Sequence, residues 1–221
     1  MSHIIEKKIQ IGASTLSIET GRVARQSDGA VLVRYGDTVV LVTAVMSDEV
    51  RPGDFVPLTV DYREKTFSAG KIPGGYFKRE GKPTEIETLN ARLIDRPIRP
   101  LFGSHIRQEI LVMAQVFSMD KENDPGPLCI IGASAALMSS NIPWAGPVAA
   151  VRIGKLDGVL VVNPTLTQLE ESDLDITVVV GTDGIVMVEG EANFLPEDEM
   201  VEALMFAHEQ AQPILRMQQE M

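Results

Sequence analysis

The sequence predicts an α+β fold in which strands and helices are mixed, and three observations support it. β-branched runs alternate with turn signals through the first 60 residues, and two more apolar hairpins follow residue 148. Helical segments interrupt the strands at two places and a third follows the last strand, without strict alternation of strand and helix. With 221 residues, 44% of them hydrophobic, the chain can bury a full core as one large domain spanning residues 1–221.

The elements follow in order. Ile9 to Ile11, Leu16 to Ile18, Ala30 to Tyr35 and Thr38 to Val45 read as strands, the last two joined at Gly36-Asp37. Glycine accepts positive φ there and aspartate bonds its own backbone, which suits a tight reversal. Another strand runs from Pro57 to Glu64, before Phe67-Ser68-Ala69-Gly70 and the break at Pro73-Gly74-Gly75. Gly81-Lys82-Pro83-Thr84-Glu85 reads as a helix entry, with acids near the positive end of the helix dipole. Ile86, Leu89 and Leu93 predict the buried face of this helix, and Pro97 predicts its end. Gln108 to Phe117 predicts a strand, and Pro127 to Ser140 a buried small-residue helix whose Gly132 permits close packing on a sheet. Hairpins are expected at Val148–Ile153 with Val159–Val162, and at Asp175–Val180 with Ile185–Glu189. A last helix runs from Pro196 to about Gln212, with Met200, Val201, Leu204, Ala207 and His208 on one side.

Charge is distributed unevenly. From Arg63 to Arg107, ten Lys or Arg stand against five Asp or Glu, so 45 residues carry +5 while the other 176 carry −16. A chain of net charge −11 is repelled from nucleic acid at long range, so binding it requires a local positive funnel, which this segment supplies. The alternative is a basic surface paired with the chain's own acids. Arg92 and Arg96, four residues apart, share one side of the predicted helix, and Arg99 follows before Pro100. Guanidinium forks at this spacing suit successive phosphates; they also suit Asp95, Glu85, Glu87 or a partner subunit.

Other chemistries are disfavoured. Cys129 sits in an apolar run and reads as a core residue, and His3, His105 and His208 are too scattered for a metal cluster or a nucleophile and base pair. No apolar run approaches the roughly 18 to 20 residues that cross a bilayer. The N-terminus lacks a secretion signal, so a cytoplasmic location without membrane partners is expected.

The string AGKIPGGYFKREGKPTEIETLNARLIDRPIRPLF closely resembles the first core domain of the bacterial polynucleotide phosphorylases. Gly21-Arg22-Val23-Ala24-Arg25, Leu41-Val42-Thr43-Ala44, Asp173-Leu174-Asp175 and Val188-Glu189-Gly190 extend the resemblance over essentially the whole chain. It implies a ribonuclease PH-type fold of mixed βαβ architecture, from the ribosomal protein S5 domain 2-like group, in a homotrimeric ring threaded by single-stranded RNA. It implies a 3′-to-5′ phosphorolytic exoribonuclease, a nucleotidyltransferase of mRNA degradation and RNA processing. Inorganic phosphate is its co-substrate, Mg2+ its cofactor and degradosome proteins are possible partners; DNA is not expected. Complete members are about three times as long, so this chain is expected to be a fragment ending at the start of a helical linker.

The resemblance also places the chemistry. Catalysis is implied mainly in a second core domain, so no catalytic residue and no bound metal are expected in this one. The family's phosphate loop corresponds to Asn123-Asp124-Pro125-Gly126-Pro127-Leu128, where two prolines remove amide donors and the hydroxyls are absent. Asp173 matches one metal ligand of the active domain, but the position six earlier is Thr167. Tyr76-Phe77-Lys78-Arg79 resembles the aromatic and basic channel loop. RNA contact is therefore expected from Phe77 by stacking on a base, from Lys78 and Arg79 on phosphate, and from Arg92, Arg96 and Arg99 as electrostatic guides. A core role for Tyr76 is the alternative there. A non-catalytic ring subunit and a free-standing ribonuclease PH-like phosphorolytic enzyme are the competing readings.

Overall fold

The computed structural model describes residues 4–74 and 81–221. Two sheets carry the described residues. The first has six strands: β1 (Ile5–Ile11), β2 (Ser14–Thr20), β3 (Gly29–Tyr35), β4 (Thr38–Val50), β5 (Leu58–Glu64) and β6 (Gln108–Ser118), in the order β1-β2-β3-β4-β6-β5. Neighbours are antiparallel except β5 and β6. That parallel pair needs a crossover, which α1 (Glu85–Ile98) provides.

Alternation fixes the faces of this sheet. In β4, Val40, Val42 and Ala44 are fully buried, while Val39, Leu41 and Thr43 between them are only partly so. The buried side meets α2 (Pro125–Met138), every residue of which is buried except Met138. A helix apolar on all sides belongs inside a protein, and α2 packs on β3, β4, β6 and also on β7. Cys129 is fully buried within it, and burial pushes its thiol well above the usual cysteine range.

The second sheet has the order β10-β9-β7-β8 and is antiparallel: β7 (Val148–Leu156), β8 (Val159–Val162), β9 (Leu174–Gly181) and β10 (Gly184–Ala192). A short helix α3 (Leu166–Leu169) precedes β9. α4 (Glu197–Gln219) lies on β7, β8 and β9 and reaches β1. Its buried residues are Ala203, Ala207, Ala211, Ile214, Leu215, Met217 and Gln218, so the small side chains face the sheet while Val201 is exposed. One cluster of buried apolar residues runs through both sheets and the long helices.

Two expectations about helix ends are corrected. α1 continues through Pro97 to Ile98 and α4 through Pro213 to Gln219. In α1 the Arg99 amide still donates to the Asp95 carbonyl across the proline, and Ile94, Pro97 and Ile98 are buried, so packing offsets the missing donor. The predicted face of α1 is corrected at two of its three residues, while Leu93 packs partly buried against the core. Ile86 and Leu89 are 65% and 55% exposed, and Glu87, Ile94 and Ile98 turn inward instead. The two stripes have the same helical spacing. The inward one wins because its single polar member, Glu87, finds two amide donors at its end of the helix.

Candidate nucleic-acid interface

α1 begins on a capping box. Thr84 Oγ1 accepts from the Glu87 amide at 3.1 Å, and a Glu87 carboxylate oxygen accepts from the Thr84 amide at 2.7 Å. With Glu87 inward, the opposite side of the helix presents Arg92 and Arg96 outward, as their four-residue spacing requires. Arg92 is exposed and has no hydrogen-bond or ion-pair partner among the described residues. Arg96 is also exposed and forms an ion pair with Glu189 of β10. Arg99 is held more firmly. Its guanidinium grips Asp95 at 2.6 and 2.8 Å and donates to the carbonyls of Val56 and Leu58 at 3.3 and 3.1 Å. The structure therefore leaves Arg92 open to solvent, engages Arg96 once and commits Arg99 to the edge of β5. Tyr76, Phe77, Lys78 and Arg79 lie outside the described residues.

The segment matched to the phosphate loop forms the start of α2. Asp124 is the N-cap, and its carboxylate accepts from the Gly126 amide at 2.9 Å. Pro125 and Pro127 supply no amide, so the positive end of this helix is met by the chain's own carboxylate. Asp124 also pairs with Arg152 of β7, which in turn grips Asp175 of β9 at 2.6 and 2.7 Å. Burial pulls the Arg152 guanidinium downward, but Asp175 and Asp124 more than compensate and hold its pKa above the ordinary value. Beside this triad lies a cavity of about 20 Å³ lined by Tyr35, Asn123, Pro127 and Asn163, room for about one water. An anion arriving here would find both positive groups already neutralised.

Asp173 stands at the loop before β9. Its carboxylate lies 3.5 Å from the Asn193 side-chain amide, and Thr167 stands at the position six residues earlier. Among the described residues no group of three or more His, Cys, Asp or Glu side chains is placed to hold a metal ion. None of the described helices is long and apolar enough to cross a membrane.

Sequence reasoning missed two residues, Arg152 and Glu87. A lone arginine in the strand Val148-Ala149-Ala150-Val151-Arg152-Ile153 was a usable signal, since a cation in such a run needs a carboxylate partner. For Glu87 the capping-box spacing Thr84 to Glu87 was visible, but the second donor lies 23 residues away.

Residues 14–143 match the model described as "3' exoribonuclease family, domain 1", and residues 146–210 match "3' exoribonuclease family, domain 2". A polyribonucleotide nucleotidyltransferase of Thermomicrobium roseum is 58% identical over 219 residues, covering 99% of this chain and 28% of that protein. The enzyme of the same name from Gluconacetobacter diazotrophicus is 56% identical over 216 residues, covering 97% and 30%. The chain thus spans about 30% of the length of the curated relatives it matches. A crystal structure of rice Rrp46 shares the fold with a TM-score of 0.75 at 16% identity, over 95% of this chain and 94% of that one.

Proposed function

This chain belongs to the 3′ exoribonuclease family, and from that premise we propose that it is the RNA-guiding first core domain of a polyribonucleotide nucleotidyltransferase, without a phosphorolytic centre of its own. The whole enzyme transfers the 3′-terminal nucleotide of RNA to inorganic phosphate, releasing a nucleoside diphosphate, in mRNA turnover in the cytoplasm. Mg2+ and the attacking phosphate act in a second core domain, and three such chains close a ring around the RNA. Degradosome proteins are its further partners.

The observation that carries this reading is the contrast between two helix faces. At the start of α2 the chain fills its own positive site with Asp124 and neutralises Arg152 between two carboxylates. On α1 the outward side keeps Arg92 without a partner among the described residues and Arg96 in one exposed pair. Exposed pairs of this kind are worth about 0 to 1 kcal/mol, so a phosphate displaces Glu189 at little cost. Phe77, Lys78 and Arg79 precede α1 in the chain and add a stacking ring and two cations to the same segment.

A second reading, a ring subunit that does not touch RNA, draws on Arg99, whose guanidinium is bound to Asp95 and to the edge of β5. One experiment separates them. The purified chain is titrated with fluorescent single-stranded RNA at several salt concentrations, and nucleoside diphosphate release is followed with phosphate and Mg2+ present. Salt-dependent binding without release is expected; absence of binding sinks the guiding role, and diphosphate release sinks the assignment of catalysis elsewhere.

A further inference from the structure

We propose that Glu87 is a positioning residue for RNA binding, a buried carboxylate that staples together the two ends of the basic connection between β5 and α1 and turns the arginine face of α1 outward. The inference rests on the RNA-guiding role proposed above. One Glu87 oxygen accepts from the amide of Glu64, the last residue of β5, at 2.9 Å. The other accepts from the amide of Thr84, the N-cap of α1, at 2.7 Å. Between those two amides run residues 65–83, with five cations, Lys65, Lys71, Lys78, Arg79 and Lys82, against Glu80 alone. A connection of this length between a strand and a helix exceeds the usual length of about two to six residues and is commonly functional.

Three further observations bear on the staple. Glu87 is only 7% exposed, so its carboxylate is held by protein donors. Burial raises its pKa, but the donors on Thr84 and Glu64 and the nearby charge of Arg63 outweigh that and leave it below the ordinary glutamate value. It is therefore charged throughout the neutral range. At the other end of α1, Arg99 reaches the carbonyls of Val56 and Leu58, so the helix is clamped to the edge strand at both ends. With the inward direction set by Glu87 and Ile94, the rotation of the helix is determined, and Arg92 and Arg96 project away from the sheet. A polar side chain thus occupies the core stripe while Ile86 and Leu89 stay outside, an arrangement that serves orientation rather than apolar burial.

Replacing Glu87 by Gln keeps the shape but turns one oxygen into an N–H donor facing an amide N–H, so one arm of the staple opens. The test measures anisotropy of a fluorescein-labelled oligoadenylate RNA of about 20 nucleotides against the 221-residue chain, its E87Q variant and Ile214→Val, a remote core variant on α4 that lowers stability without touching the segment. Expected for E87Q is an affinity at least about threefold weaker and a slope of log affinity against log salt reduced by about one phosphate contact, with Ile214→Val unchanged in both. Should E87Q fail to fold, Glu87→Asp, one methylene shorter and unable to span both amides, carries the same expectation. Binding by the unsubstituted chain that E87Q matches in affinity and slope overturns the staple alone, and so does an equal loss in Ile214→Val. No binding by the unsubstituted chain overturns the guiding role and the staple with it.

Discussion

Arg152 and Asp175 meet fork to fork across β7 and β9, with Nη2 2.6 Å from one carboxylate oxygen and Nε 2.7 Å from the other. The remaining arm of the same guanidinium holds Asp124 at the head of α2, so one side chain joins two strands to a helix N-terminus. Its side chain is 19% exposed and those of the two aspartates 24% and 27%, so none of the three is fully hydrated. Removing the cation leaves two half-buried carboxylates facing each other. Arg152→Ala should lower stability by about 3 kcal/mol. In urea that moves the unfolding midpoint by about 1 to 2 M at unchanged slope, and a shift under about 0.3 M would contradict it.

Asp120 gives the fold a pH dependence whose sign can be worked out. Burial raises its pKa, but donors from Asn123 (amide and side chain), the Glu122 amide and Thr38 outweigh that and bring it from 3.8 to about 2. It also accepts from the Asp37 amide, tying the β3–β4 turn to the loop before α2. A carboxylate depressed in the folded state stabilises fully above its unfolded pKa and loses that contribution as pH falls through the folded one. The difference corresponds to about 2 kcal/mol, present above about pH 4 and gone below about pH 2. Asp120→Asn should therefore cost about 2 kcal/mol in urea unfolding at pH 7, and the gap to the parent should close as pH drops toward 2.

The strands were legible because their signal is local. In β3, β4 and β6 the period-two pattern of valine, leucine and isoleucine marks the inward side, and Gly36-Asp37 marks the reversal. α2 was legible for the same reason, since its run of small apolar residues admits little besides burial. The face of α1 was not. Ile86, Leu89 and Leu93 form an apolar stripe of correct spacing; Leu93 packs against the core, but Ile86 and Leu89 stay outside because an amide at Glu64 on a neighbouring strand satisfies Glu87. Local pattern carries no information about that donor. Pro97 failed as a stop signal for a related reason, because the Arg99 amide and the packing of Ile94 and Ile98 offset the lost bond. At the interface, the arginine spacing correctly gave a shared side for Arg92 and Arg96, while the pairing of Arg99 with Asp95 had been one open alternative.

Arg92 and Arg99 should separate binding from stability. Arg92 is exposed and unpartnered among the described residues, so Arg92→Ala should leave urea unfolding within about 0.5 kcal/mol of the parent while weakening RNA binding and lowering its salt slope by about one. Arg99 holds Asp95 and two edge carbonyls of the β5 region, so Arg99→Ala should cost about 1 to 2 kcal/mol of stability. Equal stability losses in the two variants would show that the division between them is wrong.

Gly132 sets how closely α2 approaches the first sheet. A Cβ built there would lie 2.5 Å from Val42 Cγ2 and 3.3 Å from Val33 Cγ2, the inward side chains of β4 and β3. Alanine in a helix interior is favoured over glycine by about 1 kcal/mol, whereas overpacking a tight core costs about 1 to 3 kcal/mol. The overlap involves fully buried valines on two paired strands, neither of which can turn its branched side chain away freely, so overpacking should win. Gly132→Ala is expected to destabilise by about 1 to 2 kcal/mol net. Val42→Ala removes the methyl group in the way and alone should cost about 2 kcal/mol as a cavity. In the double variant the new methyl partly fills that cavity, so its loss should fall below the sum of the two single losses by at least about 1 kcal/mol. Strict additivity in urea unfolding would mean that α2 shifts as a body to admit the methyl group, and that glycine is not what holds it against β4.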